Sequence, residues 1–273
     1  MDKKKRFNQI SKDIKSIKIQ GAKNIALAGF KAYKLSPNKQ TKKRIISLRP
    51  TEPFLINILN KADKITYNEL KTKLKQNQEI INKQVYELIK NKDVIFTHCH
   101  SSTVVNALVY CHKKGKKFEV YNTEARPLYQ GRITASELRK AGIKTTMFVD
   151  SAAATAIEKE NKKDKIHADL VLFGTDAILK KGVINKIGSG MFAEIAHANK
   201  VPVYILADSL KYISKIELEQ RDFKEVWKTT KKIKIKNPAF ELIKKDYIAK
   251  IISELGTLSY PEFLRKVRKN KTL

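Results

Sequence analysis

From Asp93 onward, short apolar runs alternate with stretches of helical periodicity. The runs predict strands at Val94 to Phe96, Phe118 to Tyr121, Thr145 to Val149, Leu170 to Phe173 and Val201 to Leu206. Helices are predicted between them over Thr103 to His112, Thr134 to Ala141, Ala152 to Glu158 and Met191 to Ala198. Tyr247 to Ile252 reads as a last strand and Phe263 to Val267 as a short basic helix. Fully apolar strands separated by helices imply βαβ units and a parallel sheet covered on both faces. The charged, apolar-poor stretch Lys159 to Lys165 reads as a surface insertion.

The stretch before Asn91 has a different texture. Ile10, Ile14 and Ile17, then Ile25, Leu27, Ala28, Ala32 and Leu35, recur at helical spacing. Helical patterns resume over Leu55 to Leu59 and Leu70 to Ile89, with Pro37, Pro50 and Pro53 as punctuation. The expected organisation is a small helical N-terminal domain, residues 1–91, followed by a Rossmann-like α/β domain with a parallel sheet, residues 92–273.

Composition narrows the function classes. Hydrophobic residues make up 42% of the 273, enough for a sizeable core. The opening residues lead into a polar helix pattern, and no apolar stretch suits a signal peptide or a bilayer span. Cys99 and Cys111 alone make no disulfide framework, so a reducing cytoplasm and no membrane partner are expected. The net charge of +30 invites a nucleic-acid reading. The lysines are dispersed from end to end, however, with no basic arm and no reading motif, so specific nucleic-acid binding is not expected. Most of this charge reads as solvated surface, with a smaller share able to steer a polyanionic small substrate.

In an open parallel sheet, ligands bind beyond the carboxyl ends of the strands. The polar residues just after the apolar runs are Thr97 to Ser102, Thr123 to Arg126, Asp150-Ser151, Gly174 to Asp176 and Asp208-Ser209. They offer a thiol, carboxylates, an arginine and hydroxyls. Cys99, expected at a helix start, is placed where a helix N-terminus lowers a thiol pKa; a small buried hydrophobe is the plain alternative. Asp176, after an apolar strand and a glycine, suits acid–base work or a turn. His98 and His100 lack a third partner for a metal, and nothing around Cys99 resembles a protease nucleophile turn. Gly182 to Gly190 is glycine-rich before a helix and reads as an anion cradle with Lys186 adding charge. It is neither a Walker A loop nor a dinucleotide fingerprint, so no NAD is expected.

Five segments occur in order across about ninety residues: Thr97-His98-Cys99-His100-Ser101, Thr123 to Gly131, Val149 to Ala153, Gly174-Thr175-Asp176 and Ile184 to Gly188. Together they resemble the superfamily of methylthioribose-1-phosphate isomerases, ribose-1,5-bisphosphate isomerases and the alpha, beta and delta subunits of initiation factor 2B. The likeness extends to Lys236 to Phe240, back to Gln20-Gly21-Ala22 and Leu48 to Thr51, and is strongest to the archaeal ribose-1,5-bisphosphate isomerases. Those enzymes have a cysteine and an aspartate where Cys99 and Asp176 stand, both held to be catalytic; initiation-factor alpha subunits usually lack both.

The resemblance implies conversion of ribose 1,5-bisphosphate to ribulose 1,5-bisphosphate in AMP salvage. It also implies a homo-oligomer, a dimer or hexamer. Cys99 as thiolate is the implied base and Asp176 the implied proton shuttle. Gln20, Gly21, Ala22, Lys23, Arg49, Ser101, Ser102, Arg126, Asn185, Lys186 and Lys211 are implied at the substrate, the cations at phosphate and Asn185 at sugar hydroxyls. No cofactor or metal is required, because the substrate carries its own redox change. Two departures remove cations: Gln20 stands where the isomerases usually have arginine, and Ser102 where the archaeal ones have lysine. The rival expectation is a non-catalytic subunit that binds a translation factor or nucleotide.

Overall fold

The structure, a computed structural model, describes residues 2–16, 18–158, 167–218 and 220–269. Ile17 and the expected insertion at 159–165 lie outside the described residues.

Five helices come first: α1 (Lys3–Lys15), α2 (Ala22–Leu35), α3 (Lys39–Leu48), α4 (Pro53–Lys61) and α5 (Tyr67–Leu88). Local chemistry sets their starts. The Asn38 side chain accepts from the Thr41 amide at 2.8 Å to cap α3, and Pro53 opens α4 where its missing N–H costs nothing. Thr66 and Glu69 satisfy each other's backbone amides as a capping box for α5. Phe7, Ile14, Ile25, Phe30, Ile45, Leu55 and Leu59 close the helical core. The first half of α5 belongs to it through Leu70 and Leu74. The second half, through Ile81 and Val85, packs on the sheet that follows.

That sheet is built from β1 (Val94–Thr97), α6 (Ser102–Lys113), β2 (Glu119–Thr123), α7 (Gln130–Lys140), β3 (Lys144–Phe148), α8 (Ala153–Ile157) and β4 (Leu170–Phe173). A hairpin of β5 (Ala177–Leu179) and β6 (Gly182–Lys186) leads to α9 (Ser189–Ala198) and β7 (Val203–Leu206). Then come β8 (Phe240–Lys244), β9 (Lys250–Ser253), β10 (Gly256–Leu258) and α10 (Tyr260–Lys269). The main sheet has seven strands in the order β10-β9-β7-β4-β1-β2-β3. All neighbours are parallel except β9 and β10. One face packs on α5, α6 and α7 through Val105, Leu108, Leu138 and Leu172. The other packs on α8, α9 and α10 through Ala156, Phe192 and Phe263. Phe192 meets Phe96 edge-on with centroids 5.5 Å apart; truncating such a buried ring costs about 3–5 kcal/mol.

The structure adds what periodicity did not show. β5, β6 and β8 form a separate three-stranded antiparallel sheet. Tyr247 falls in a 3-10 turn, Lys245–Tyr247, so the expected last strand starts later, at Lys250, and it pairs with an unforeseen β10. Asp150–Ala152 is also a 3-10 turn, so α8 starts at Ala153.

Candidate active site

The chain moves outward from β1 through β2 to β3, then returns to the other side of β1 to lay down β4. The β1–β4 boundary is therefore the topological switch point, where crossovers run to opposite sides and open a crevice. Cys99 follows β1 and Asp176 follows β4, so both lie at the carboxyl edge of that boundary, and the Asp176 charge reaches Cys99. The two strand ends are packed tightly. A Cβ added at Gly174 would lie 2.6 Å from the Cβ of Ser101, so only glycine lets the loops approach.

Cys99 is held in the left-handed region at φ 65, a conformation that costs a non-glycine residue roughly 1–2 kcal/mol. Its neighbours hold it there. The Thr134 hydroxyl donates to the Cys99 carbonyl at 2.8 Å and lies 3.1 Å from Nδ1 of His100. His98 is buried, its Nδ1 2.5 Å from the Thr123 hydroxyl and its Nε2 2.9 Å from the Ile187 carbonyl. A carbonyl only accepts, so Nε2 carries the proton. Burial pushes the His98 pKa down to about 4, so this imidazole is a neutral strut joining β1, β2 and the loop before α9.

Cys99 is not at the helix start the sequence suggested. The N-cap of α6 is Ser101, two residues on. Nor is its thiol acidified: burial pushes its pKa up to about 11, against the pull of Lys186 and the His100 amide. Cys111, inside α6, is pushed to about 12 by burial. Asp176 is also raised by burial, and Lys211, Lys186 and Arg49 oppose that rise in decreasing order.

The structure gathers Cys99, Asp176, Lys186, Lys211 and Arg49 into one electrostatic cluster. Lys186 and Lys211 are both buried, and the Lys211 ammonium donates to the Thr175 carbonyl at 2.5 Å. Asn185 donates to the Ser189 hydroxyl at 2.8 Å. Ser101 accepts from the Val104 amide, and Ser102 is exposed on the first turn of α6. Arg126 is exposed, stacked on Tyr129 and directed to the Val226 carbonyl at 3.4 Å. Gln20, Gly21, Ala22 and Lys23 sit at the start of α2; they make no hydrogen bond or ion pair to the cluster among the described residues.

The anion-cradle reading of Gly182 to Gly190 is corrected. Gly182 to Lys186 form β6, and the amide of Gly190 in the first turn of α9 is taken by the Glu241 carboxylate at 2.6 Å. The chain supplies its own anion there. Asp150, which the sequence places at a strand end without assigning it a role, belongs near the site. Its carboxylate accepts from the amides of Ala125 and Arg126 at 2.9 and 2.7 Å, and its charge reaches both His98 and Cys99. Its position after β3 was the available signal.

Fold and site together define an α/β protein whose switch-point crevice pairs a thiol with a carboxylate among buried cations. The comparisons with known proteins agree. Residues 56–260 match the Initiation factor 2 subunit family, and the chain belongs to that family. It is similar to a protein named ribose 1,5-bisphosphate isomerase from Archaeoglobus fulgidus, 31% identical over 92% of this chain and 88% of that one. A protein of the same name from Methanocaldococcus jannaschii is 33% identical over 90% of this chain and 89% of its own length. In fold, the chain is similar to the translation initiation factor eIF-2B of Pyrococcus horikoshii, with a TM-score of 0.81, 24% identity and coverage of 94% and 98%.

Proposed function

We propose that this chain is an aldose–ketose isomerase that converts ribose 1,5-bisphosphate to ribulose 1,5-bisphosphate. The observation that carries the reading is the thiol and carboxylate, Cys99 and Asp176, within reach of each other's charge at the switch point beside Lys186 and Lys211. A regulatory subunit has no use for that pair. The relatives named above support the substrate class.

Asp176, whose pKa burial raises, gives its proton to the ring oxygen as the bond from C1 to that oxygen breaks. The Cys99 thiolate then takes the proton from C2, and the electron pair forms the C1–C2 double bond of an enol phosphate. The thiol returns that proton to C1, the C2 hydroxyl becomes the ketone, and its proton goes back to the Asp176 carboxylate. Nothing is left over, and both groups end as they began. With a thiol at about 11, the thiolate is the minor form at neutral pH. The Lys186 ammonium and the His100 amide stabilise it. Arg49, Lys211 and Arg126 are assigned to phosphate, with Gln20 to Lys23 at the far end, and Asn185 to the sugar hydroxyls. Residues 1–91 form the helical cover of this site and 92–273 its catalytic part.

We place the protein in the cytoplasm, where the free thiols Cys99 and Cys111 stay reduced; no helix among the described residues is long and apolar enough to cross a membrane. We also propose a homo-oligomer joined through the α/β domain. β3 is a sheet edge, and Met147, Val149 and Ile133 on or beside it are exposed, as an unpaired edge awaiting a partner would be. Sedimentation at micromolar concentration with only a 31.3 kDa species rejects this. The activity itself is tested by turnover of ribose 1,5-bisphosphate against 5-methylthioribose 1-phosphate. Turnover of the first supports the reading. Turnover of neither favours the non-catalytic subunit.

A further inference from the structure

Lys211 is the cation that acts most strongly on Asp176, yet it stands on a single 3-10 turn, Ser209–Lys211, outside any regular element of the sheet. The helical region holds that turn. The side-chain amide of Asn57 on α4 donates to the carbonyls on both sides of Lys211, Leu210 at 2.6 Å and Tyr212 at 3.0 Å. Phe54, one turn earlier on α4, brings its ring to 6.0 Å from the ammonium. Asn77 on α5 donates to the Asp208 carboxylate at 2.7 Å, and that carboxylate accepts from the Leu210 amide at 2.9 Å. From below, the Glu254 carboxylate takes the Ser209 amide. A single nitrogen with two protons is what spans carbonyls two residues apart; an isosteric leucine offers none.

We propose that Asn57 is a positioning residue for the isomerisation, its amide fixing where the Lys211 ammonium sits beside Asp176. The proposal rests on the isomerase reading for its kinetic part alone. If the turn slips, the bond from Lys211 to the Thr175 carbonyl is lost, and the groups left facing Asp176 are the Lys186 and Arg49 cations and the titratable Cys99 thiol. Asp176 then holds its proton to higher pH.

The test follows the carboxyl carbon of Asp176 by NMR across pH in the full chain, the signal assigned with Asp176→Asn. Asn57→Leu is expected to move the titration midpoint upward, in the same direction as Lys211→Met. In the Lys211→Met background it should move it no further. Asn57→Gln, which keeps an amide, should return the midpoint toward wild type. kcat/KM for ribose 1,5-bisphosphate should fall on the order of 10²-fold in Asn57→Leu, as for a small misplacement of a catalytic group, with its acidic limb shifted to higher pH. Should Asn57→Leu fail to fold, Asn57→Ser is held to the same outcomes. An unmoved Asp176 midpoint in a folded variant, or additive shifts in the double variant, overturns the proposal. If wild type turns over no sugar phosphate, the isomerase reading fails, and the NMR arm still decides the role of Asn57.

Discussion

The switch point and the start of α2 carry their cations in opposite ways. At the switch point Lys186 and Lys211 are buried, 7% and 8% exposed, and act on Asp176. At the start of α2 Gln20 is exposed and Lys23 half-buried, with no bond to the cluster. A net charge of +30 says nothing about this contrast. Exposed charges are screened over about 8 Å in physiological salt, whereas a buried pair, at an effective dielectric of about 20, still feels roughly 4 kcal/mol at 4 Å. Desolvation, and not the number of lysines, decides which cations reach the chemistry.

The contrast predicts its own ranking of effects. Cys99→Ser and Asp176→Asn should each lower kcat by about 10²–10⁴-fold, and the double variant should be no worse, because the two act as a unit. Retention of more than roughly a tenth of the wild-type rate by either single variant removes that residue from the chemistry. Lys186→Met should come next. Its ammonium holds the Cys99 pKa down toward about 11, so kcat/KM should fall and the alkaline limb of its pH profile should move higher. A limb that stays in place detaches Lys186 from the thiol.

A smaller effect belongs to stability. Burial and the Asp208 charge push Glu254 up to about 7 from its usual 4.5. Below about 4.5 the carboxyl is protonated in both folded and unfolded chains. Between there and about 7 the unfolded chain alone gives up the proton, so stability falls with rising pH, then levels off above 7. The loss is about 1.4 kcal/mol per unit of separation. Urea melts at pH 5 and pH 8 should differ by less in Glu254→Gln than in wild type; an equal difference assigns the pH dependence elsewhere.

The least effect is expected at the exposed end. Gln20→Arg with Ser102→Lys should lower KM for the bisphosphate several-fold, since hydrogen bonds to charged groups contribute roughly 1.5–3 kcal/mol and exposure discounts them. kcat should hardly change, because such contacts grip ground and transition states alike. An unchanged KM places both positions away from phosphate.

The same division explains what could be read from the sequence. The central strands are legible because Ile95, Phe96, Val171 and Leu172 are buried on both faces and so write unbroken apolar runs. Cys99 and Asp176 were found because they follow such runs directly. β5, β6 and β8 were missed because Ala177–Leu179 is short and β6 ends in the polar Asn185-Lys186. The thiol pKa was read the wrong way because a left-handed φ at Cys99 and the burial around it leave no local mark in sequence. Asn57 was invisible for a related reason: its partners, Leu210 and Tyr212, are over 150 residues away, and on a helix that also carries Asn60 and Lys61 an asparagine looks like one more surface position.

The left-handed backbone at Cys99 sets loss of function against loss of fold. Any side chain at that position carries the local strain, and glycine carries none. A descendant that exchanged the thiol for glycine would abandon the reaction and keep, or even firm up, its architecture. Decay of the enzyme would thus leave no trace in expression or solubility. The lineage could drift from catalyst to scaffold by a single substitution that selection for a well-folded chain would not oppose.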